Sequence, residues 1–467
     1  MTSPSRCRYA PSPTGFLHVG SAQSALFNWL WAQHSGAELL LRIEDTDAER
    51  NRPELTDNIF EMLQWLGIGW EGEPVHQSDH TADHVALAHE LAADGHAYWC
   101  DCTPEQVQER NKATGGKPGY DGCCRDRGLT SGVLRFRTPD DGVTAWDDLV
   151  RGKVTFDNAN LEDFVILRSN GQPMFLLANV ADDVAMGITH VIRGEDHVNG
   201  TPKYLLLRAA LGVTDDIPTF AHLPLLVNEQ RKKLSKRRDD VSVADYKAAG
   251  YLPEAMRNHL ALLGWGPPDG VEVRPIEEVI ELFRLEDVNP SPAFFDRKKL
   301  DHLNGEWIRR LDVDDFVARA SEHLPDGDGP RAALRALAAV VQERVRTLAE
   351  VDGYVEFLYR DDIDVDEGAW AKATKDPRSV AMLDETIARL VELTTWEADA
   401  VEAAVTAAAI AAGFVNAEGG PQLSKAQASV RAATTGRAVG PPLWQSLAAL
   451  GRDRTLERLR AGRAQLQ

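Results

Sequence analysis

Two short segments carry residue types suited to phosphate chemistry. Residues 8–21 read Arg-Tyr-Ala-Pro-Ser-Pro-Thr-Gly-Phe-Leu-His-Val-Gly-Ser. A glycine-containing turn that opens a helix offers unpaired backbone N–H groups and the positive end of the helix dipole, and both attract phosphate. His18 can donate a hydrogen bond to a phosphate oxygen, and Gly20 allows close approach to the backbone. Alone, a His-x-Gly triplet is more often structural. The second segment, Lys232-Lys233-Leu234-Ser235-Lys236-Arg237-Arg238, places five cations in seven residues just after the apolar run 223–227. On a loop, such cations neutralise charge that moves from an α-phosphate to departing pyrophosphate. The bland alternative is a solvated charge run.

A third group is made of thiols. Five cysteines stand at positions 7, 100, 102, 123 and 124. Four of them crowd into one short stretch, which suits a local metal site better than a disulfide framework.

The elements that must position these groups are legible from periodicity. Residues 7–10 read as a strand, 11–20 as a turn, and 21–34 as a helix with Ala25, Leu26, Trp29 and Leu30 on its apolar face. Residues 39–43 form a buried strand that ends at Glu44-Asp45-Thr46-Asp47. Strand, helix and strand with functional residues at the strand ends mark an open α/β sheet. Helices follow near 55–66 and 82–94. Residues 99–190 interrupt this rhythm with the cysteines, a Gly/Pro-rich run and short strands at 133–136 and 164–167, and a buried strand resumes at 191–193. Beyond about residue 320 the chain is Ala/Leu/Val-rich and helical. One helix is expected at 395–412, with Thr394 and Glu397 at capping-box spacing and Gly413 as its stop.

The whole chain has 467 residues, 43% apolar and 26% charged, which fits two to four globular domains. No apolar run reaches the roughly eighteen residues of a membrane helix. The N-terminal stretch lacks a signal-peptide core, so a cytoplasmic location is expected. A formal charge of −21 argues against a generic nucleic-acid binder. From Gln422 onward, however, eight Lys/Arg stand against two acidic residues, a net of +6 that leaves −27 for the remainder.

Taken together, the first two segments resemble the HIGH and KMSKS signatures of class I aminoacyl-tRNA synthetases. His18-Val19-Gly20-Ser21 stands for the first and Lys233-Leu234-Ser235-Lys236-Arg237 for the second. Ser21 replaces the second histidine, which leaves His18 as the motif's only imidazole. The resemblance to glutamyl-tRNA synthetases then extends along nearly the whole chain. Residues 41–47 match that family's LRIEDTD and 187–197 its MGITHVIRGEDH, while 304–309 resemble LNGxYIR and 435–442 TGxxVxPP.

The resemblance implies a Rossmann-type α/β catalytic domain with a zinc-containing insertion, a stem-contact region and a C-terminal all-helical anticodon-binding domain. The expected segments are 1–98 and 191–240 for the catalytic domain, 99–190 for the acceptor-end insertion, 241–320 for the stem region and 321–467 for the anticodon domain. It implies catalytic roles for His18, Gly20, Lys233, Ser235 and Lys236. ATP would rest on these motifs together with Pro11, Ser12, Thr14, Gly15 and Ser21. Glutamate would be held by Arg8, Ala10, Ser12, Glu44, Phe175, Asn179 and Arg193. We assign Arg193 to the side-chain carboxylate and Glu44 to the α-ammonium. The alternative for Arg193 is an internal ion pair with Glu195 or Asp196. Phe175 departs from the family's usual Tyr. Zinc would be structural, on Cys100, Cys102, Cys124 and Tyr120, with Asp126 as alternative fourth ligand and Cys123 less favoured; reduced thiols without metal are the alternative.

The implied reaction is ATP- and Mg²⁺-dependent activation of L-glutamate, then transfer to the terminal ribose of tRNA-Glu and, in one variant, tRNA-Gln. Arg431 and Arg437 are the expected tRNA contacts, and a monomer without membrane association is expected. Three rivals are weighed. A glutaminyl enzyme has a β-barrel anticodon region, where residues 330–467 here read as helical. A glutamyl-queuosine enzyme lacks an anticodon domain. A catalytically altered paralogue acting as a tRNA-binding or regulatory module need not keep His18, Lys233, Lys236 and Arg193.

Overall fold

Strands buried on both faces need apolar side chains on both faces, and Leu39, Leu41, Ile43, Val191 and Ile192 supply them, while each of these two strands also buries one arginine, Arg42 or Arg193. The computed structural model describes residues 4–47, 50–114, 119–234 and 242–466. Ser235, Lys236, Arg237 and Arg238 lie outside the described residues. The chain divides into two compact units, Met1–Tyr246 with Pro253–Leu300, and Lys247–Leu252 with Asp301–Gln467.

In chain order the first unit lays down β1 (Arg6–Tyr9), α1 (Val19–Ser35), β2 (Glu38–Ile43), α2 (Pro53–Trp65), β3 (Val75–His76), α3 (Thr81–Ala93), β4 (Ala97–Cys100) and α4 (Pro104–Thr114). It continues with β5 (Val133–Phe136), β6 (Val143–Asp148), β7 (Gly152–Asp157), β8 (Val165–Leu167), α5 (Phe175–Ala185), β9 (His190–Gly194), α6 (Thr201–Ala210), β10 (Thr219–Leu223) and β11 (Leu226–Val227). Seven strands form one sheet in the order β3-β2-β1-β9-β10-β6-β7. β1 runs parallel to β2 on one side and to β9 on the other. The order reverses there, and in open α/β sheets ligands bind at the carboxyl ends of strands beside such a reversal.

The helix that opens this site is α1. Its apolar Ala22, Ala25, Leu26, Phe27 and Leu30 are buried, and so are two polar residues, Gln23 and Asn28. Asn28 Nδ2 donates to the Ile192 carbonyl at 3.0 Å, which ties α1 to β9. Gly36 ends the helix in the left-handed region (φ 69°), where a side chain would be strained.

The stretch 99–190 is woven into this unit. β4, β5 and β8 form a small antiparallel sheet, while the β6–β7 hairpin extends the edge of the parallel sheet. Leu134, Phe136 and Phe164 share one core with Val191, Tyr204 and Phe220, and α5 packs into it through Leu177 and Val180.

Among its described residues the second unit is helical, with no ladder strand beyond the isolated bridge Val415–Pro421. Met382, Leu383, Val405, Phe414, Val430 and Leu459 lie in its core. The helix expected from 395 begins later, at Ala398–Ala411, and Glu397 rather than Thr394 is its N-cap, without a side-chain capping bond. The Trp396 indole donates to the Leu447 carbonyl at 3.0 Å and holds that residue ahead of the helix. Gly413 (φ 80°) ends it as expected.

Candidate active site

At the carboxyl end of β1, the chain turns into α1 through His18. Its Nδ1 accepts the Ser21 amide at 3.1 Å, so the imidazole is the helix N-cap. That bond assigns the ring proton of the neutral imidazole to Nε2. Gly20 has a second reason to be glycine: a Cβ there would stand 3.3 Å from His18 Nδ1. A cavity of about 340 Å³ opens beside this turn, lined by His18, Gly20, Ser21, Gly194, Asp196 and Lys233. Lys233 pairs with Asp196. Lys233 lies in a tight hairpin, where Asn228 N bonds the Lys232 carbonyl at 2.9 Å and Leu234 N the Leu226 carbonyl at 3.1 Å.

A smaller cavity of about 140 Å³ adjoins the first and shares Ser21, Ser24, Gly194 and His197 with it. Arg8, Ala10, Glu44, Phe175, Asn179 and Arg193 also line it. Six of the seven residues expected around glutamate thus meet in one place. Ser12 lines instead the next cavity, with Thr14, Glu44 and Phe175. The Pro11 carbonyl accepts the Glu44 amide at 3.0 Å, so this proline joins the turn to the end of β2. Neither Pro11, Ser12, Thr14 nor Gly15 belongs to the wall of the His18 cavity.

The charges of the smaller cavity are arranged unevenly. Arg8 Nε donates to Asp183 at 3.0 Å. Arg42 donates to Asp183 at 2.6 Å and to Glu44 Oε1 at 3.1 Å, and Asn179 Nδ2 donates to the same Glu44 oxygen at 2.7 Å. Burial pushes the Glu44 carboxyl up, against the pull of Arg42 and Arg8. Asp183 is buried too, yet Arg8 and Arg42 hold it down at about 2. Arg193 has no such partner. Its guanidinium donates to His222 Nε2 at 3.2 Å and to the Thr201 hydroxyl at 2.9 Å. The alternative ion pair is not formed, because Glu195 pairs with Arg151 and Asp196 with Lys233. Burial, then the charge of Arg8, lowers Arg193 to about 10. A guanidinium in this state favours an incoming anion.

Sequence reasoning missed Arg42, Asp183, Thr201, Tyr204 and His222. Two of these carried a signal. Arg42 stands inside the quoted run 41–47, and Asp183 lies four residues after Asn179 on one helix face. His222, on a buried strand, carried none.

The thiol group also assembles. The Sγ atoms of Cys100, Cys102 and Cys124 lie within 4.8 Å of one another. The Tyr120 hydroxyl is 3.4 Å from Cys100 Sγ and accepts the Cys124 amide at 2.9 Å. Arg110 donates to Cys102 at 3.4 Å and Arg127 to Cys124 at 3.2 Å; burial and the neighbouring thiols nevertheless push the Cys102 thiol up to about 12 against the pull of Arg110. Burial opposes ionisation of Cys124, but Tyr120, Cys102 and Arg127 bring it to about 7. Asp126 turns away, bonded to Arg137 at 3.0 Å. The exposed Cys123 is 3.4 Å from Cys102. Three soft donors with a phenol beside them fit a tetrahedral zinc ion.

In the second unit, Arg431 is half-buried and donates to the Pro441 carbonyl at 2.7 Å. Arg437 pairs with Glu356 at 2.6 Å and stays partly exposed. Arg458 donates to the carbonyls of Phe357, Thr434 and Arg360, each at 2.8 Å.

The cavity at the α1 N-terminus and the smaller one beside it lie within a stretch that matches the catalytic domain of class I tRNA synthetases. Residues 5–302 match the family described as tRNA synthetases class I (E and Q), catalytic domain, and residues 315–463 match an anticodon binding domain. The chain is 51% identical to the glutamate–tRNA ligase of Frankia casuarinae, over 99% of this chain and 98% of that one. It is 51% identical to the glutamate–tRNA ligase of Thermobifida fusca, with the same coverage. A crystal structure of a glutamate tRNA ligase from Elizabethkingia meningosepticum, in complex with its amino acid, superposes with a TM-score of 0.82 at 27% identity, covering 100% of both chains. The chain belongs to the glutamate–tRNA ligase family. Among the described residues no helix is long and apolar enough to cross a membrane.

Proposed function

We propose that the two adjoining cavities hold ATP and L-glutamate, and that the chain makes glutamyl-adenylate before passing the glutamyl group to the terminal ribose of tRNA-Glu. The observation that carries this reading is Arg193, a buried guanidinium bonded to an imidazole and a hydroxyl. It takes the side-chain carboxylate of glutamate. Glu44 receives bonds from Arg42 and Asn179 on Oε1, so Oε2 takes the α-ammonium. Arg8, Ala10, Ser12 and Phe175 complete the pocket. Phe175 contributes a ring without the hydroxyl of a tyrosine.

In the first step an oxygen of the α-carboxylate attacks the α-phosphorus of ATP, and the bond to pyrophosphate breaks. His18 donates through Nε2 to a phosphate oxygen, and the α1 N-terminus adds its dipole. Pro11, Ser12, Thr14, Gly15 and Ser21 border the nucleotide. Lys233 exchanges Asp196 for phosphate, and together with Ser235 and Lys236 it stabilises the departing pyrophosphate. Mg²⁺ bound with the nucleotide supplies further charge neutralisation. In the second step the 2′-OH of the tRNA attacks the glutamyl carbonyl, and AMP leaves. Positioning and charge stabilisation, rather than side-chain acid–base chemistry, supply the rate.

Zinc on Cys100, Cys102, Cys124 and Tyr120 would be structural, ordering the loop of the segment that meets the acceptor end. Tyr120 is preferred to Asp126, which is bonded elsewhere. Residues 241–320 contact the stem and 321–467 the anticodon region, where Arg437 offers a partly exposed guanidinium and Arg431 keeps the Pro441 turn in shape. The working form is a cytoplasmic monomer.

Aminoacylation of separate tRNA-Glu and tRNA-Gln pools, each offered glutamate and glutamine, tests the reading. Glutamate on tRNA-Glu is the expected product. Glutamine charging, or no charging of tRNA-Glu, would sink it.

A further inference from the structure

The support behind Arg193 has a polarity of its own. Arginine has only donors, so a contact between Arg193 Nε and His222 Nε2 at 3.2 Å requires a bare lone pair on that ring nitrogen. The other ring nitrogen settles why the lone pair is there. His222 Nδ1 lies 2.5 Å from Asp148 Oδ2, a carboxylate that can only accept while ionised. Asp148 is itself held in place. Its Oδ1 takes the backbone amides of Val150, Arg151 and His222, each at 3.1 Å, and Trp146 Nε1 reaches Oδ2 at 3.3 Å. Both His222 and Asp148 are buried. The order Asp148, His222, Arg193 therefore runs acceptor, donor–acceptor, donor, and only one tautomer of a neutral imidazole satisfies it.

The choice of imidazole matters for charge. A carboxylate at this position would also hold the guanidinium, but it would cancel its charge. A neutral acceptor fixes Arg193 in place and leaves its charge for the ligand. We propose that His222 is a positioning residue that aligns Arg193 through a neutral Nε2 acceptor, so that the pocket demands a negatively charged amino-acid side chain. This rests on the reading of Arg193 as the carboxylate partner.

Two substitutions separate positioning from packing. Asparagine places its amide N–H near the Nδ1 position, keeping the Asp148 bond and removing the acceptor. Glutamine places its amide oxygen near the Nε2 position and keeps the acceptor. A hydrogen bond to a charged group contributes about 1.5–3 kcal/mol, or roughly 10- to 100-fold. His222→Asn should therefore raise the KM for glutamate at least about tenfold in aminoacylation at saturating ATP and tRNA-Glu, with kcat little changed. His222→Gln should restore KM to within about threefold of the parent. Equal losses in both variants, or none in either, would overturn the proposal. Arg193→Ala is run beside them. If it leaves KM unchanged, the carboxylate reading itself fails; if it raises KM while His222→Asn is silent, only the present inference fails. The unaltered protein gives a test that needs no variant to fold. With ¹⁵N-labelled histidine, His222 should show a protonated Nδ1 and a bare Nε2, and the opposite tautomer would overturn the proposal.

Discussion

At the scale of single residues, Asp183 holds together the cavity proposed for glutamate. It is fully buried and accepts from Arg8, Arg42 and the Tyr204 hydroxyl. Removing one partner from a buried ionic cluster leaves charge uncompensated and costs about 3–5 kcal/mol. Asp183→Asn should lose stability on that scale in denaturant unfolding at neutral pH. Its pH dependence has a definite sign. The folded carboxyl, at about 2, lies below its ordinary value of 3.8, so its contribution is present above the ordinary value and lost as pH falls toward 2. The stability gap between parent and Asp183→Asn should accordingly narrow across that window, and a gap that stays constant would refute the assignment. Sequence reading found Asn179 but passed over Asp183 on the same helix. The reason is physical: its partner Arg8 is 175 positions away, and periodicity says nothing about a pairing at that distance.

At the scale of elements, one loop and one helix invite measurement. The cysteine loop predicts about one zinc per chain from a single four-ligand site. Metal analysis of protein prepared in zinc-replete, reducing conditions should find it, and Cys100→Ser should lose it. The second case is the helix Arg452–Ala464, which holds five of the eight cations counted from Gln422 onward. Its arginines mostly point inward: Arg452 donates to Leu393, Arg454 to Leu358 and Arg360, and Arg458 to three carbonyls. They finish hydrogen bonds left open where other segments end. Arg458→Ala should lower the stability of this unit by about 2 kcal/mol or more, as expected when several charge-assisted bonds are lost. A melting temperature equal to the parent's would show that water replaces the guanidinium without loss. Residue counts report charge, but not the direction in which a side chain points. The early start expected for the helix near 395 failed likewise, because a capping-box spacing at Thr394 cannot register the distant carbonyl that binds Trp396.

At the scale of the whole molecule, a chain of net charge −21 must bind a polyanion. Neutralising one phosphate contact flattens the log–log salt dependence of tRNA binding by about one unit. Arg437→Gln should do so, while Arg431→Gln should lower thermal stability more than it alters the slope, because its half-buried guanidinium bonds the Pro441 carbonyl. Identical slopes for parent and Arg437→Gln would remove that residue from the tRNA surface. The open parallel sheet was legible because its strands end in functional residues. What was not legible is how the stretch 99–190 joins it. Read along the chain, this stretch looks like a detachable insert. In space it delivers α5, with Asn179 and Asp183, and the hairpin that carries Asp148. The consequence is one of heredity and engineering alike. A recombination event with crossovers at its two ends would exchange Asn179 and Asp183 of the proposed glutamate pocket along with the cysteine loop. Chimaeras between distant relatives should therefore fold well only when the crossovers leave α5 and β6 with their native neighbours.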